Sequence, residues 1–537
     1  MTSKLLLLFF ICFQLQAFGQ QDAWVYFSDK ENVETSIANP TTILSEKAVD
    51  RKQRFGIAID QRDVPVNESY ISELKAQDNI LVLAKSKWFN AVHVRGSEID
   101  IKALLDFSFV SDIIFADKTI SITSKKEKLD LFSEVASKSE FVYGSTLNQV
   151  EMIQVNTLHY SDYTGTGITI AVLDGGFPNV NTIGAFQNLR ANNNILGSYD
   201  FVARNSDVYA NTQDEHGTWV LSTMAGYIED EFVGTAPDAS YYLFITEDGD
   251  AENPVEESLW VEAAERADSL GVDIINTSLG YKEFDNSNYD YTDEDLNGVT
   301  AYITRGATIA SEKGILVVSS AGNFGDSGVG APADAAAVFS IGAVDASGVY
   351  AYFSSQGSDI QPSIKPDVSA QGLGSVVVGK TNSIETLNGT SFSAPILAGG
   401  LACLWQALPE LTNTELKQLV RVSSSQYTTP DYFLGYGIPN LASVLEDATL
   451  SVLDKTEELD LIMYPNPATN TVSFKTDASL TKINVTVFDV FGKQILERTL
   501  KTEEALDVSA LSEGIYILRI SAFDKITTKK LIKINAK

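Results

Sequence analysis

Asn388-Gly389-Thr390-Ser391-Phe392-Ser393-Ala394-Pro395, continued by the apolar run Ile396 to Ala407, decides how this chain is read. A glycine turn opens a helix here, and Ser391 stands at its start. N–H groups in a first helical turn lack intrahelical partners and carry the positive end of the helix dipole. A serine so placed can attack a carbonyl while its own N–H holds the oxyanion that forms. An ordinary Ser cap on a core helix would look the same in isolation.

The partners separate the two readings. A serine nucleophile needs an adjacent base, and the chain has three histidines, His93, His159 and His216. His216 lies in Asp214-Glu215-His216-Gly217-Thr218-Trp219-Val220, a His-Gly turn that enters a helix of small residues. An imidazole base needs a carboxylate to fix its tautomer. The stretch Ile168 to Leu173 reads as a strand of a parallel sheet buried on both faces, and Asp174 ends it before Gly175-Gly176. Carboxyl ends of parallel strands are where open α/β sheets place their sites. The oxyanion needs a second donor, and the amide of Asn323, after the apolar strand Gly314 to Val318, can reach into a cleft.

Asp174, His216 and Ser391 follow one another in the order Asp, His, Ser. Strand-Asp-x-Gly, His-Gly-Thr-x-Val and Gly-Thr-Ser-x-x-x-Pro together resemble the subtilase family of subtilisin-like, S8-type serine endopeptidases. Ile274-Ile275-Asn276-Thr277-Ser278-Leu279-Gly280 and Ser319-Ser320-Ala321-Gly322-Asn323 match two further blocks of that family. The resemblance runs over residues 145–446. It implies an α/β catalytic domain whose mostly parallel central sheet is flanked by helices. It implies Ser391 as nucleophile, His216 as base, Asp174 as orienting carboxylate and Asn323 as oxyanion donor. Ser278, Leu279 and Gly280, with Ala321 and Gly322, would bind substrate backbone. The chemistry would pass through an acyl-enzyme and need no cofactor; protein or peptide chains would be the substrates. A protease scaffold turned into a binding protein is the rival reading. Gly175 stands where the family has Ser or Thr, which puts a hydrogen bond around Asp174 in doubt. Trp219 and the pair Ser393-Ala394 also depart from the common pattern.

At 537 residues and 44% apolar, the chain can hold several domains with large cores. Residues 1–20 read as a secretory signal: Lys4, the apolar core Leu5 to Phe13, then Ala17-Phe18-Gly19. That core is too short for a membrane span. A lipid anchor at Cys12 is the alternative. The mature protein would be secreted or held on the outer cell surface, as a monomer. The two cysteines are Cys12 and Cys403, so loss of the signal leaves Cys403 as a lone packing thiol without a disulfide partner.

Charge is unevenly spread. Residues 151–450 hold 10 basic against 39 acidic side chains, which accounts for most of the net charge of −32. Such a surface repels nucleic acid. The run Glu247 to Glu252 follows the strand Tyr241 to Thr246, where subtilases build one wall of the cleft, and predicts faster cleavage of peptides with Lys or Arg near P2 or P4. A second acidic run, Asp285 to Asp295, carries hard oxygen donors suited to a structural calcium, although it lacks an EF-hand pattern; a solvated loop is the alternative.

Residues 21–130 read as strand-helix-strand-strand-helix-strand, a ferredoxin-like α+β order. In subtilases a domain of this kind is a prodomain that assists folding and inhibits the enzyme; an accessory domain that stays attached is the alternative. Residues 131–144 read as an exposed linker, and the peptidase domain as 145–449. A polar stretch follows, Ser451 to Asp460. Residues 455–537 then show short alternating runs that predict a small β-sandwich. Tyr464-Pro465-Asn466-Pro467, Phe491-Gly492-Lys493, Leu511-Ser512-Glu513-Gly514-Ile515-Tyr516 and Lys529-Lys530-Leu531 resemble the sorting domain of type IX secretion cargo in the Bacteroidota. That implies the type IX machinery as a partner; an adhesion module is the alternative.

Overall fold

The computed structural model describes residues 19–120, 141–210, 214–249, 251–454, 461–476, 482–488, 494–501, 504–522 and 525–534. Residues 1–18 of the signal segment and most of the 131–144 linker lie outside these residues. The chain forms two compact units, one ending at Leu445 and the other beginning at Glu446.

The first unit opens with β1 (Gln20–Phe27), α1 (Glu46–Arg54), α2 (Glu68–Lys75), β2 (Leu81–Ser86), β3 (Ala91–Ser97), α3 (Glu98–Ala103) and β4 (Val110–Phe115). The sheet order is β2-β3-β1-β4, and every pairing is antiparallel. This is the expected ferredoxin-like arrangement. Alternation along β1 sends Ala23, Val25 and Phe27 into a core with Ile71, Leu74 and Ile101. Trp24, on the opposite face, joins a different core.

The catalytic part carries a seven-stranded sheet. Its strands are β5 (Thr169–Asp174), β6 (Ile195–Asp200), β7 (Ser240–Ile245), β8 (Ile274–Thr277), β9 (Leu316–Ser320), β10 (Phe339–Val344) and β11 (Val368–Gln371). The order is β11-β10-β9-β8-β5-β7-β6, parallel throughout. All residues of β5, β8 and β9 are buried, as helices cover both faces. The main helices are α4 (His216–Ala225), α5 (Val255–Leu270), α6 (Tyr302–Glu312), α7 (Thr390–Ala407) and α8 (Asn413–Val422). Strand order reverses at β5, which leaves a crevice at its carboxyl end.

The N-terminal domain packs on the outer side of α5 and α6. Trp24, Ala84, Trp88 and Ala116 share one buried cluster with Trp260 and Ala264 of α5 and Tyr302 and Ala307 of α6. The Trp24 and Tyr302 rings stack at 4.5 Å. Glu265 on α5 accepts from the N–H groups of Lys87 (2.9 Å) and Trp88 (2.8 Å) in the β2–β3 turn. A strap of residues 40–66 continues around to the amino ends of the strands, where Lys47 Nζ meets Asp273 Oδ2 at 2.6 Å just ahead of β8.

Two expectations change. Tyr143, at the end of the predicted linker, is buried, and its hydroxyl pairs with His159 Nδ1 at 2.9 Å. The polar stretch from Ser451 begins inside a helix, α9 (Leu441–Asp454), and residues 455–460 lie outside the described residues. Beyond α9 the described residues of the second unit form strands: β12 (Leu461–Tyr464), β13 (Thr471–Thr476), β14 (Lys482–Phe488), β15 (Gln494–Lys501), β16 (Leu506–Asp507), β17 (Gly514–Ala522) and β18 (Lys525–Lys533). Sheets β12-β13-β16 and β15-β14-β17-β18 enclose a common core that includes Val472, Phe474, Val485 and Leu518. The predicted turn Asp489 to Lys493 falls outside the described residues.

Candidate active site

Asp174 is the last residue of β5 and fully buried. Its Oδ1 accepts the Gly175 N–H at 2.9 Å and lies 2.8 Å from His216 Nδ1. A carboxylate only accepts, so the proton sits on Nδ1 and Nε2 is left to take another. His216 is the first residue of α4, and its N–H donates to Asp214 Oδ1 at 2.8 Å.

The departure at Gly175 has a structural reason. A Cβ there would lie 1.9 Å from Asp214 Oδ2, so the glycine makes room for a second carboxylate beside the imidazole. Asp174 Oδ2, buried, receives no hydrogen bond from the described residues, in line with the missing hydroxyl. Burial works against a charged His216, but Asp174, then Asp214 and Glu247, outweigh it and lift the imidazole to about 9. A base must be neutral to accept a proton. The value of kcat/KM is therefore expected to climb with pH through about 9, and Asp214→Asn to move that midpoint down. A pH–rate profile of the two proteins measures both.

Ser391 is the second residue of α7 and 8% exposed. Its Oγ donates to the Ser278 carbonyl oxygen at 3.3 Å, a long bond that is easily given up. Pro395 sits inside α7 and has no N–H to offer the carbonyl four residues back. That carbonyl belongs to Ser391, and the Ser278 hydroxyl donates to it instead at 2.8 Å. The side chain of Ser278 thus secures the first turn of α7. The rings of His216 and Phe392 lie 6.1 Å apart, so α4 and α7 bring their starts together.

Asn323 follows β9 and is exposed. Its Oδ1 accepts from Thr390 N (2.9 Å) and Thr390 Oγ1 (3.0 Å). Those two bonds assign the amide orientation and turn Nδ2 outward as a donor. Gly322 before it has φ +106°, and a Cβ there would meet Phe324 and Ser355 Oγ at 2.8 Å. Thr390, which orients Asn323, was not singled out from the sequence; its only signal is its place before Ser391.

The remaining candidates line the same edge. Ser278, Leu279 and Gly280 follow β8, and Ala321 and Gly322 follow β9, both at carboxyl ends of the parallel sheet. The Leu279 carbonyl accepts from Ser320 Oγ at 3.2 Å. Gly280 makes no backbone hydrogen bond among the described residues, leaving its N–H and C=O open.

The other histidines have different surroundings. His159 is buried between Tyr143 OH and the Thr235 carbonyl, and burial pulls it down to about 4. His93 forms a second Asp-His-Ser set, with Nε2 2.8 Å from Asp22 Oδ1 and Nδ1 2.8 Å from Ser258 Oγ. That set is sealed: all three side chains are buried under Trp24, whose Nε1–H also donates to Ser258 Oγ at 2.7 Å. Cys403 is buried, its thiol pointing at the Thr235 carbonyl.

Residues 165–437, half of the chain, match the family model described as "Subtilase family". The chain belongs to the subtilase family.

Residues 22–130 of this subtilase match "Peptidase S8 propeptide domain, Bacteroidota", and residues 462–535 match "Secretion system C-terminal sorting domain". Subtilisin E of Bacillus subtilis (strain 168) is 30% identical over 302 residues, which cover 55% of this chain and 70% of that protein. The alkaline protease of Alkalihalobacillus alcalophilus is 24% identical over 416 residues, 75% of this chain and 94% of its own length. Among solved structures, MycP1 with the N-terminal propeptide removed aligns at 20% identity and a TM-score of 0.44, over 56% of this chain and 96% of that one. The subtilase is a serine-type endopeptidase. Its tail directs it through type IX secretion to the extracellular space or cell surface.

The donors of the 285–295 loop do not fit a structural calcium. Asp290 Oδ1 accepts from Phe284 N at 2.8 Å, Asp293 is paired with Lys282 at 2.8 Å, and Asp295 accepts from Thr292 N at 2.9 Å. Among the described residues no group of three or more His, Cys, Asp or Glu is arranged to hold a metal. A calcium chelator is expected to leave the amides of the 285–295 loop as protected as before, which hydrogen exchange with and without chelator measures.

Proposed function

We propose that Ser391 is the nucleophile, His216 the general base and then acid, and Asp174 the carboxylate that orients and stabilises the imidazolium. The Ser391 N–H and Asn323 Nδ2 act as the oxyanion hole. The observation that carries this is the 2.8 Å contact of Asp174 Oδ1 with His216 Nδ1 at the carboxyl end of β5, beside the start of α7.

The steps follow from the bonds. Ser391 Oγ leaves the Ser278 carbonyl, passes its proton to His216 Nε2 and attacks the peptide carbonyl carbon. The C=O electron pair moves to oxygen, which the two donors hold. His216 returns the proton to the leaving amine, giving an acyl-enzyme that water hydrolyses by the same route. Gly280 lies open to pair with substrate backbone, together with Leu279 and the Ala321-Gly322 turn. Asn323→Ala is expected to lower kcat by about 10²–10³ with little change in KM, because the oxyanion exists only after attack. Steady-state kinetics on a peptide substrate tests this.

The domains are inferred as prodomain 21–130, peptidase 145–449 and sorting domain 455–537. The prodomain acts as an intramolecular inhibitor, and the mature enzyme works as a monomer. A binding protein on a protease scaffold is the competing reading. A fluorophosphonate probe separates them: an enzyme forms an adduct at Ser391, and a binding protein stays unlabelled.

A further inference from the structure

Where β4 ends, the prodomain chain turns onto the catalytic loop that follows Ser278-Leu279-Gly280. Asn288 Nδ2 donates to Asp117 Oδ2 at 3.3 Å. The next side chain, Lys118, reaches into a cavity of about 220 Å³ walled by Phe284, Tyr289, Tyr291 and Tyr302 of the catalytic part and by Trp24, Ile114 and Phe115 of the prodomain. Lys118 Nζ lies 4.0 Å from the centroid of the Tyr291 ring. It donates to the Asp290 carbonyl at 2.6 Å and to Asp295 Oδ2 at 3.1 Å. Glu257 forms the floor, fully buried, with both carboxylate oxygens 2.9 Å from the Tyr291 hydroxyl. An ammonium over a ring face with a carboxylate and a carbonyl at its rim is a cation-binding box.

A row of packed side chains links the box to the base of the cleft. The Tyr281 hydroxyl donates to Glu247 Oε1 at 2.6 Å, and Glu247 is one of the charges that raise His216. From Tyr281 the rings step to Phe284 (6.1 Å) and on to Tyr291 (5.8 Å). Any cut that frees the prodomain from the peptidase falls after Lys118, so Lys118 lies on the amino side of that bond. The acidic run Glu247 to Glu252 is a poorer candidate for a cation subsite. Glu247 is already bonded to Tyr281, and Glu256 behind it accepts from Asp248 N (2.7 Å) and Asn253 N (2.9 Å).

The geometry points to a substrate subsite for a Lys or Arg side chain, several residues upstream of the scissile bond, formed by Tyr291, Asp295, the Asp290 carbonyl and Glu257, with Lys118 of the prodomain as its resident occupant. This rests on the proposed active site and names the substrate class: chains carrying one upstream cationic residue. When the prodomain leaves, Trp24, Ile114 and Phe115 go with it, and the face formed by Tyr291, Asp295, the Asp290 carbonyl and Glu257 is what remains for substrate.

The test scans one Lys through the upstream positions of an otherwise neutral peptide and compares each with norleucine, using the processed enzyme. One position is expected to show a kcat/KM about tenfold higher for Lys, as for a partly desolvated cation–ring and ion pair. Asp295→Asn is expected to erase most of that ratio, read as the Lys-to-norleucine quotient within each enzyme. Cleavage of all peptides without discrimination overturns the inference while the active site stands. Cleavage of none overturns the active-site reading, and the box is then judged in the full-length chain by hydrogen exchange. There Lys118→Met is expected to expose the amides of Thr292 to Asp295 and Lys118→Arg to keep them protected. Exchange identical in wild type and Lys118→Met sinks the box.

Discussion

Ser391→Ala is expected to lower kcat by about 10⁶, the cost of removing the nucleophile from a triad that acts as one unit. A residue of about 10³–10⁴ over the uncatalysed rate should survive, because the oxyanion donors still bind the tetrahedral species. Removing His216 as well should cost little more, since a base has no work without the hydroxyl it deprotonates. Adding Asn323→Ala should cost more, because it removes what remains. Folding should be nearly untouched: the lost hydroxyl makes one long 3.3 Å bond, to the Ser278 carbonyl, among the described residues. Peptide hydrolysis and the mass of a fluorophosphonate adduct read the first effect, and calorimetry reads the second. Wild-type activity in Ser391→Ala would remove Ser391 from the mechanism.

Asp268→Asn is expected to destabilise the full-length chain by about 3–5 kcal/mol, the cost of breaking a buried ion pair from one side. Asp268 Oδ1 is 2.9 Å from Lys52 Nζ and also meets Arg51, and neither Asp268 nor Lys52 is exposed at all. Asp63 bridges Lys52 (3.2 Å) to Lys313 (2.7 Å). Burial alone would raise Asp268, but Lys52 and then Arg51 hold its carboxyl well below the usual range. A depressed carboxyl stabilises above its unfolded value and loses that only as pH falls through the folded one, so the loss is fully present at neutral pH. Lys52→Met with Asp268→Leu should cost less than Asp268→Asn alone, since it leaves fewer unpaired charges. Calorimetry of the three variants tests this. The network ties the 40–66 strap to the catalytic part at the end of the sheet remote from Ser391. It therefore acts on how firmly the prodomain is held and leaves the chemistry alone.

The acidic residues of α5 show where reading along the chain fails. Glu256, Glu257, Glu265 and Asp268 look like a solvated face, yet all four are buried. The N-terminal domain covers the outer side of this helix, and its Trp88 N–H and Lys52 meet two of those carboxylates. A helix period reports which residues leave water and cannot report that a second domain lies on the polar side as well. The pairing of Gly175 with Asp214 escaped for the same reason, being a contact between residues 39 positions apart in sequence.

Local order along the chain determined the fold class and pointed to the candidate residues Asp174, His216, Ser391 and Asn323. Each sits at a strand end, glycine turn or helix start, and those are written in a few consecutive residues. Tertiary structure alone decided that the Asp22, His93 and Ser258 set is sealed while the His216 side chain stays within reach of solvent. It also decided what raises His216 and which side chain fills the box beside Tyr291. Those outcomes depend on distances and on exclusion of water, which arise only when segments far apart in the sequence pack together.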